Sequence, residues 1–288
     1  MQDLIEIAKR HVPKDGFHAT LIPSLQIVRS GAPSEPVPAV YRSSLCYVLQ
    51  GVKETSVSGR TYRYRAGEYL VSSVDLPVTG EIIEATTGRP YLCLVISIDA
   101  PLVYDVLQTM PMRMEAGSQS GLYVGRAEPV LTDAVARFVR CRDSSSDRVV
   151  LVPGILREIV YRLLASPFGP MVADLGMTGS RTQRINRAIA HLKNRFAEPL
   201  RVTDLARLAG MSVSTFHEHF RRITTLSPVQ YQKLLRLQEA RRLLVADGAG
   251  AADVGFRVGY QSPSQFSREY ARLFGHPPSV DLRERMTA

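Results

Sequence analysis

The chain has 288 residues, 45% of them hydrophobic and 22% charged, enough length for two domains and enough apolar side chain for a buried core. No apolar run reaches the roughly 18 residues of a membrane-spanning helix. The amphipathic start MQDLIEIAKRHVPKDG lacks the apolar core and cleavage site of a signal peptide, so no membrane partner is expected and the cytoplasm is the expected location. The net charge of +9 lies in one half: residues 1–180 hold 18 Lys+Arg and 18 Asp+Glu, whereas residues 181–288 hold 18 and 9. Such asymmetry points to a polyanion partner for the second half.

In chain order, short runs of β-branched and aromatic residues come first: 25–29, 45–50, 52–57, 60–64, 68–73, 78–85 and 91–98. Turn residues such as Gly51, Ser58-Gly59 and Ala66-Gly67 separate them. Many short strands at this spacing predict a sandwich or a barrel. The period then changes. Leu131, Val135, Phe138 and Val139 share one helical face, as do Val152, Ile155, Ile159 and Leu163. These two helices either cover the strands or pair between subunits. Residues 166–180, SPFGPMVADLGMTGS, carry two prolines and three glycines and read as a linker. The expected domains are therefore 1–165 and 181–288.

The second half is predicted helical. In 202–223, Thr203 can cap a helix that buries Leu205, Ala206 and Ala209. Gly210 ends it, since glycine takes a left-handed backbone cheaply. Ser212 can cap a second helix that buries Phe216 and Phe220. Two short helices at a glycine turn make a helix-turn-helix, whose second helix can enter a major groove. The pattern repeats in 251–274: aligning Gly210 with Gly259 pairs Ser212 with Ser262 and Phe216 with Phe266, each within one residue. Between the units, Ser227 and Pro228 open a helix over 227–247 of about 28 Å. That length is close to the ~34 Å between major-groove faces one DNA turn apart.

With these motifs in view, residues 184–283 resemble the DNA-binding domain of AraC/XylS-type transcription regulators. The carrying features are the two units, the stretch LQEARRLL and the closing VGYQSPSQFSREYARLFGHPP. The N-terminal half is similar to the AraC-type N-terminal domain through YRSSLCYVLQGVKE, RYRAGEYLVSSVDLPVTG and RTQRINRAI. The resemblance implies an α+β chain: a cupin-like β-barrel with helices, then an all-α domain with two helix-turn-helix units. It implies a regulator, by habit an activator, acting as a homodimer on double-stranded promoter DNA. RNA polymerase and a small-molecule effector are the implied further partners.

Carried over residue by residue, base reading falls to Ser214, Thr215, His217 and Glu218 in the first unit and to Ser264, Gln265 and Arg268 in the second. Arg268 suits guanine and Gln265 adenine. Arg221, Arg222, Lys233, Arg236 and Arg257 are read as phosphate contacts. One departure stands out: many members have Ala where this chain has Gly255, which costs about 1 kcal/mol of helix propensity and predicts a looser second unit.

The implied barrel offers little for catalysis. Only His11 and His18 occur in residues 1–180, outside the run of strands, and carboxylates alone suit zinc or iron poorly. No metal, cofactor or enzymatic activity is expected. A chemical signal is the alternative to a bound effector. Cys46 and Cys93 lie on predicted strands and are the expected sensor residues if an electrophile or oxidant is read there, and inert core residues otherwise.

Overall fold

Runs of β-branched and aromatic residues along 16–97 fold the first part of the chain into strands. The computed structural model describes residues 2–110, 121–247 and 250–281; residues 282–288 of the expected second domain lie outside them. Helix α1 (Gln2–His11) precedes β1 (Gly16–Ala19), β2 (Leu25–Ser30), β3 (Val37–Tyr41), β4 (Ser44–Gln50), β5 (Val52–Val57) and β6 (Arg60–Arg65). Then come β7 (Glu68–Ser72), β8 (Leu76–Glu84), β9 (Tyr91–Ser97), α2 (Ala100–Thr109), β10 (Leu122–Arg126), α3 (Pro129–Arg140), α4 (Ser145–Val150), α5 (Val152–Leu164) and α6 (Gly169–Gly176). The rest is helical: α7 (Arg181–Asn194), α8 (Val202–Leu208), α9 (Val213–Thr224), α10 (Pro228–Asp247), α11 (Ala251–Arg257) and α12 (Pro263–Phe274). The chain forms two compact units, residues 1–36 with 41–183, and residues 184–288 with 37–40.

In the first unit, β1-β2-β9-β4-β7-β10 make an antiparallel sheet. A second sheet places β5 between β8 and β6. The fold is α+β as expected, but the strands divide into two sheets, and among the described residues no hydrogen-bonded ladder closes them into one barrel. Every residue of β4 is buried, because both faces of this central strand are covered. Leu45, Tyr47 and Leu49 point into a core with Leu92, Leu94 and Ile96 of β9 and with Val135, Phe138, Ile159 and Leu163 of the helices. The alternating Cys46 and Val48 take the opposite face. The helix layer is tied down by Tyr47 Oη and Thr132 Oγ1 at 2.8 Å, and α3 to α5 by Arg137 and Glu158 at 2.6 Å.

The stretch read as a linker, 166–180, contains α6, whose Met171, Val172, Ala173 and Leu175 join this core. Its Pro170 stands in the first turn, where a missing N–H costs nothing. A Cβ on Gly176 would stand 2.5 Å from the Tyr104 nitrogen. The glycine there permits close helix packing against α2 rather than a flexible joint.

Candidate DNA interface

Each of the two helix pairs in the second unit is set by a glycine turn and a serine cap. Gly210, at φ +61°, ends the first turn and Gly259, at φ +93°, ends its counterpart. Ser212 Oγ accepts from the Thr215 N–H at 3.2 Å and Ser262 Oγ from the Gln265 N–H at 3.4 Å, so both second helices start on a side-chain cap. Ser227 and Gln230 cap α10 reciprocally, at 3.2 and 2.9 Å. The expected Thr203 cap is corrected: α8 begins at Val202, with Arg201 in the cap position and no side-chain cap. Thr203 is therefore inside the first turn.

Phe216, Phe220 and Ile223 bury one side of α9, and Phe266 and Tyr270 one side of α12. The Phe216 ring lies 5.4 Å from Phe220, and Phe266 lies 5.5 Å from Tyr270. The duplicated apolar pairs thus hold duplicated helices, and the opposite faces are left to solvent. On α9, Ser214, His217, Glu218 and Arg221 are exposed at positions i, i+3, i+4 and i+7, a single stripe. Thr215 is half-buried and bonded to the Ser212 hydroxyl at 2.9 Å, so it belongs to the cap as much as to the stripe. His217, Glu218, Arg221, Arg222 and Ser227 line a cleft of 540 Å³. On α12, Ser264, Gln265, Arg268 and Arg272 are exposed. Arg272 was missed in sequence, although its spacing of four from Arg268 puts it on the same face.

The five residues read as phosphate contacts divide. Arg221 and Arg257 are exposed. Arg222 is half-buried, with Nη2 2.6 Å from His219 Nδ1. Lys233 pairs with Glu269 at 3.7 Å. Arg236 does not fit the assignment. Its Nε donates to the Phe196 carbonyl at 2.7 Å, Nη1 to Gly259 at 3.0 Å, and Nη2 to Ala197 at 3.2 Å and Glu198 at 2.9 Å. Its guanidinium carbon sits 5.9 Å from the centre of the Tyr260 ring. Burial lowers its pKa from the usual arginine value. A guanidinium spent on four carbonyls is a fastener between α10, the segment before α8 and the second glycine turn, not a free cation for phosphate.

Glu269 is a second residue the sequence reading missed. Its carboxylate accepts from Tyr260 Oη at 2.8 Å and from Gln265 Nε2 at 3.3 Å, besides pairing with Lys233. Burial, with the Glu269 contact, pushes the Tyr260 hydroxyl pKa up, which keeps it a donor. Gly255 also reads differently in three dimensions. A Cβ there would meet Phe266 Cδ1 at 3.0 Å and Cγ at 3.1 Å. The absent methyl lets the Phe266 ring close onto α11, so the glycine serves packing and the expectation of a looser unit has no support.

In the first unit, Cys46 and Cys93 are both buried. Cys46 is opposite Val95, and Cys93 opposite Val48, on adjacent strands, so they are diagonal neighbours on one sheet face. Among the described residues, no group of three or more His, Cys, Asp or Glu side chains is placed to hold a metal, and no helix is long and apolar enough to cross a membrane.

Comparison with known proteins agrees with this geometry. Residues 21–171 match the model of the AraC-type transcriptional regulator N-terminus, and residues 205–284 match a helix-turn-helix domain model. A probable thc operon regulatory protein of Rhodococcus erythropolis is 34% identical over 102 residues, covering 34% of this chain and 31% of that protein. The HTH-type transcriptional activator RhaS of Escherichia coli is 32% identical over 101 residues, covering 35% and 36%. The alignments thus span about a third of these relatives' length. A crystal structure of ToxT from Vibrio cholerae with bound unsaturated fatty acid shares the fold, with a TM-score of 0.57, 10% identity, and coverage of 90% of this chain and 94% of that one. With half of its length matched by the N-terminal model and the paired helix units behind it, this chain belongs to the AraC-type family of DNA-binding transcriptional regulators.

Proposed function

We propose that the chain is a signal-controlled activator that binds promoter DNA as a homodimer, reading sequence with α9 and α12 and receiving its signal in the N-terminal unit. The observation that carries this reading is the pair of serine-capped helices, each with its aromatic side buried and a polar, partly basic side exposed. Exposed arginines on a helix of groove-fitting diameter suit base edges and phosphates together. Helix α10, 20 residues and about 30 Å long, suits two readers about one DNA turn apart. Ser214, His217, Glu218, Ser264, Gln265 and Arg268 are the proposed base readers, with Thr215 at the edge of that face. Arg221, Arg257 and Arg272 are the proposed phosphate contacts. Activation, through contact with RNA polymerase, follows the habit of the family and the activator RhaS. Binding of a small molecule by the N-terminal unit follows the precedent of the fatty-acid-bound ToxT.

Selection of binding sites from random DNA with the purified full chain, followed by footprinting, tests the proposal. The expected result is a preferred sequence with two short protected blocks about one helical turn apart, repeated for a dimer. Binding without sequence preference would reject the reading and leave only the electrostatic attraction of a basic surface.

A further inference from the structure

Three side chains of the second unit converge on one carboxylate. Glu269 of α12 is half-buried, with 21% of its side chain exposed. Its Oε2 accepts from Tyr260 Oη at 2.8 Å and pairs with Lys233 Nζ of α10 at 3.7 Å. Its Oε1 accepts from Gln265 Nε2 at 3.3 Å. The two contacts on Oε2, one from beside the second glycine turn and one from α10, fix the rotation of the carboxylate. Oε1 is thereby left for residue 265, one helical turn earlier. Gln265 is exposed, as are Ser264 and Arg268 beside it on α12.

The chemistry of this contact decides which way the Gln265 amide points. A carboxylate only accepts hydrogen bonds, so the amide nitrogen, not its oxygen, faces Glu269. A free glutamine offers two N–H donors and a carbonyl acceptor in either orientation. Here one N–H is spent on Glu269, and the carbonyl oxygen with the second N–H remains for DNA. Adenine presents an N6 donor and an N7 acceptor in the major groove, which match that pair. Guanine presents two acceptors, O6 and N7, and needs two donors. With one donor already taken, guanine is disfavoured.

We propose that Glu269 is a specificity-determining positioning residue, which turns the Gln265 amide so that this reader accepts adenine and rejects guanine. The inference rests on the reading that α12 presents Gln265 to base edges. Glu269 acts through Gln265 and needs no contact with DNA of its own. Glu269→Gln keeps the shape of the side chain and changes the hydrogen-bonding pattern. Lys233 has no acceptor to offer, so the new amide keeps its oxygen toward Lys233 and Tyr260 and turns its nitrogen to residue 265. The Gln265 amide then flips to give its oxygen to that nitrogen, and both of its N–H groups become free for guanine.

The test measures the affinity of the full-length protein for four duplexes that carry A, C, G or T at one position of the selected site, the position where Gln265→Ala relaxes preference. The wild type is expected to favour adenine there, and a preference for guanine overturns the proposal. Glu269→Gln is expected to lower the adenine-to-guanine affinity ratio about tenfold, within the range that one bidentate base contact supplies. Preference at the position read by Arg268 stays as it was. Glu269→Ala, which removes the acceptor outright, lowers the same ratio, and thermal melts report which variants are folded. In the Gln265→Ala background, Glu269→Gln leaves the ratio unmoved. A role confined to holding the fold would weaken all four duplexes evenly, and that outcome overturns the proposal. So does a Glu269 effect that persists undiminished without Gln265. A Gln265→Ala variant that keeps the original preference at every position removes the reader, and the proposal with it. Failure of the wild type to select any DNA sequence would instead sink the regulator reading on which the inference stands.

Discussion

Arg236 shows how one side chain changes meaning between sequence and structure. On a basic helix beside a DNA reader it looks like a phosphate contact, yet it holds four carbonyls from segments 23 to 40 residues away in sequence. Arg236→Ala is expected to destabilise the protein by about 1–3 kcal/mol, since four carbonyls, three of them on half-buried residues, lose their donor at once. Arg236→Lys recovers only part, because an ammonium cannot span the fork. Chemical denaturation measures both, and an alanine variant as stable as wild type would return Arg236 to the phosphate-binding set. Gly259 is a second such position: its φ is +93°, and a Cβ would stand 2.1 Å from the Ala197 carbonyl oxygen. Gly259→Ala combines backbone strain with a backbone clash and is expected to lower the melting temperature more than Gly210→Ala, where φ is +61° and nothing stands within 4 Å of the added carbon. Equal melting temperatures for the two would contradict the packed turn.

At the scale of elements, the caps were legible where a serine preceded an apolar helix by the right number of residues. Ser212, Ser227 and Ser262 cap as read, whereas Thr203 lost its place because the cap position falls two residues earlier, at Arg201. Ser262→Ala is expected to cost about 1 kcal/mol of stability. Because the cap orients the start of α12, the same variant weakens binding to the selected DNA site. Calorimetry and a titration against that site check the two effects separately. Within α12, Arg268→Ala is expected to relax preference at one base pair and cost about 1–3 kcal/mol of binding. A repeat of the site selection with this variant, returning the original preference at every position, would remove Arg268 from the readers. Gln265 is held to Glu269, a bond that two residues four apart on an exposed helix face permit but do not dictate. Sequence spacing thus put Gln265 forward as a reader and left its contact with Glu269 unseen.

For the whole molecule, the separation of charge makes a prediction about DNA affinity. With the basic surplus confined to residues 181–288, affinity for the selected site is expected to fall by on the order of 10³-fold between ~50 and ~200 mM salt, as for about six phosphate contacts. Fluorescence anisotropy at a series of salt concentrations measures it, and a flat response would show that the surplus does not face DNA. The sequence by itself determined the strand-rich first half, the duplicated helix pairs, the glycine turns and most of the caps. Each of these is encoded by residues within one or two turns of one another. Only the tertiary structure decided that the strands form two sheets, that 169–176 is a core helix, that Gly255 admits the Phe266 ring, and that Arg236 fastens three segments. These depend on side chains brought together from distant positions, where local periodicity carries no information about which buried polar group meets which.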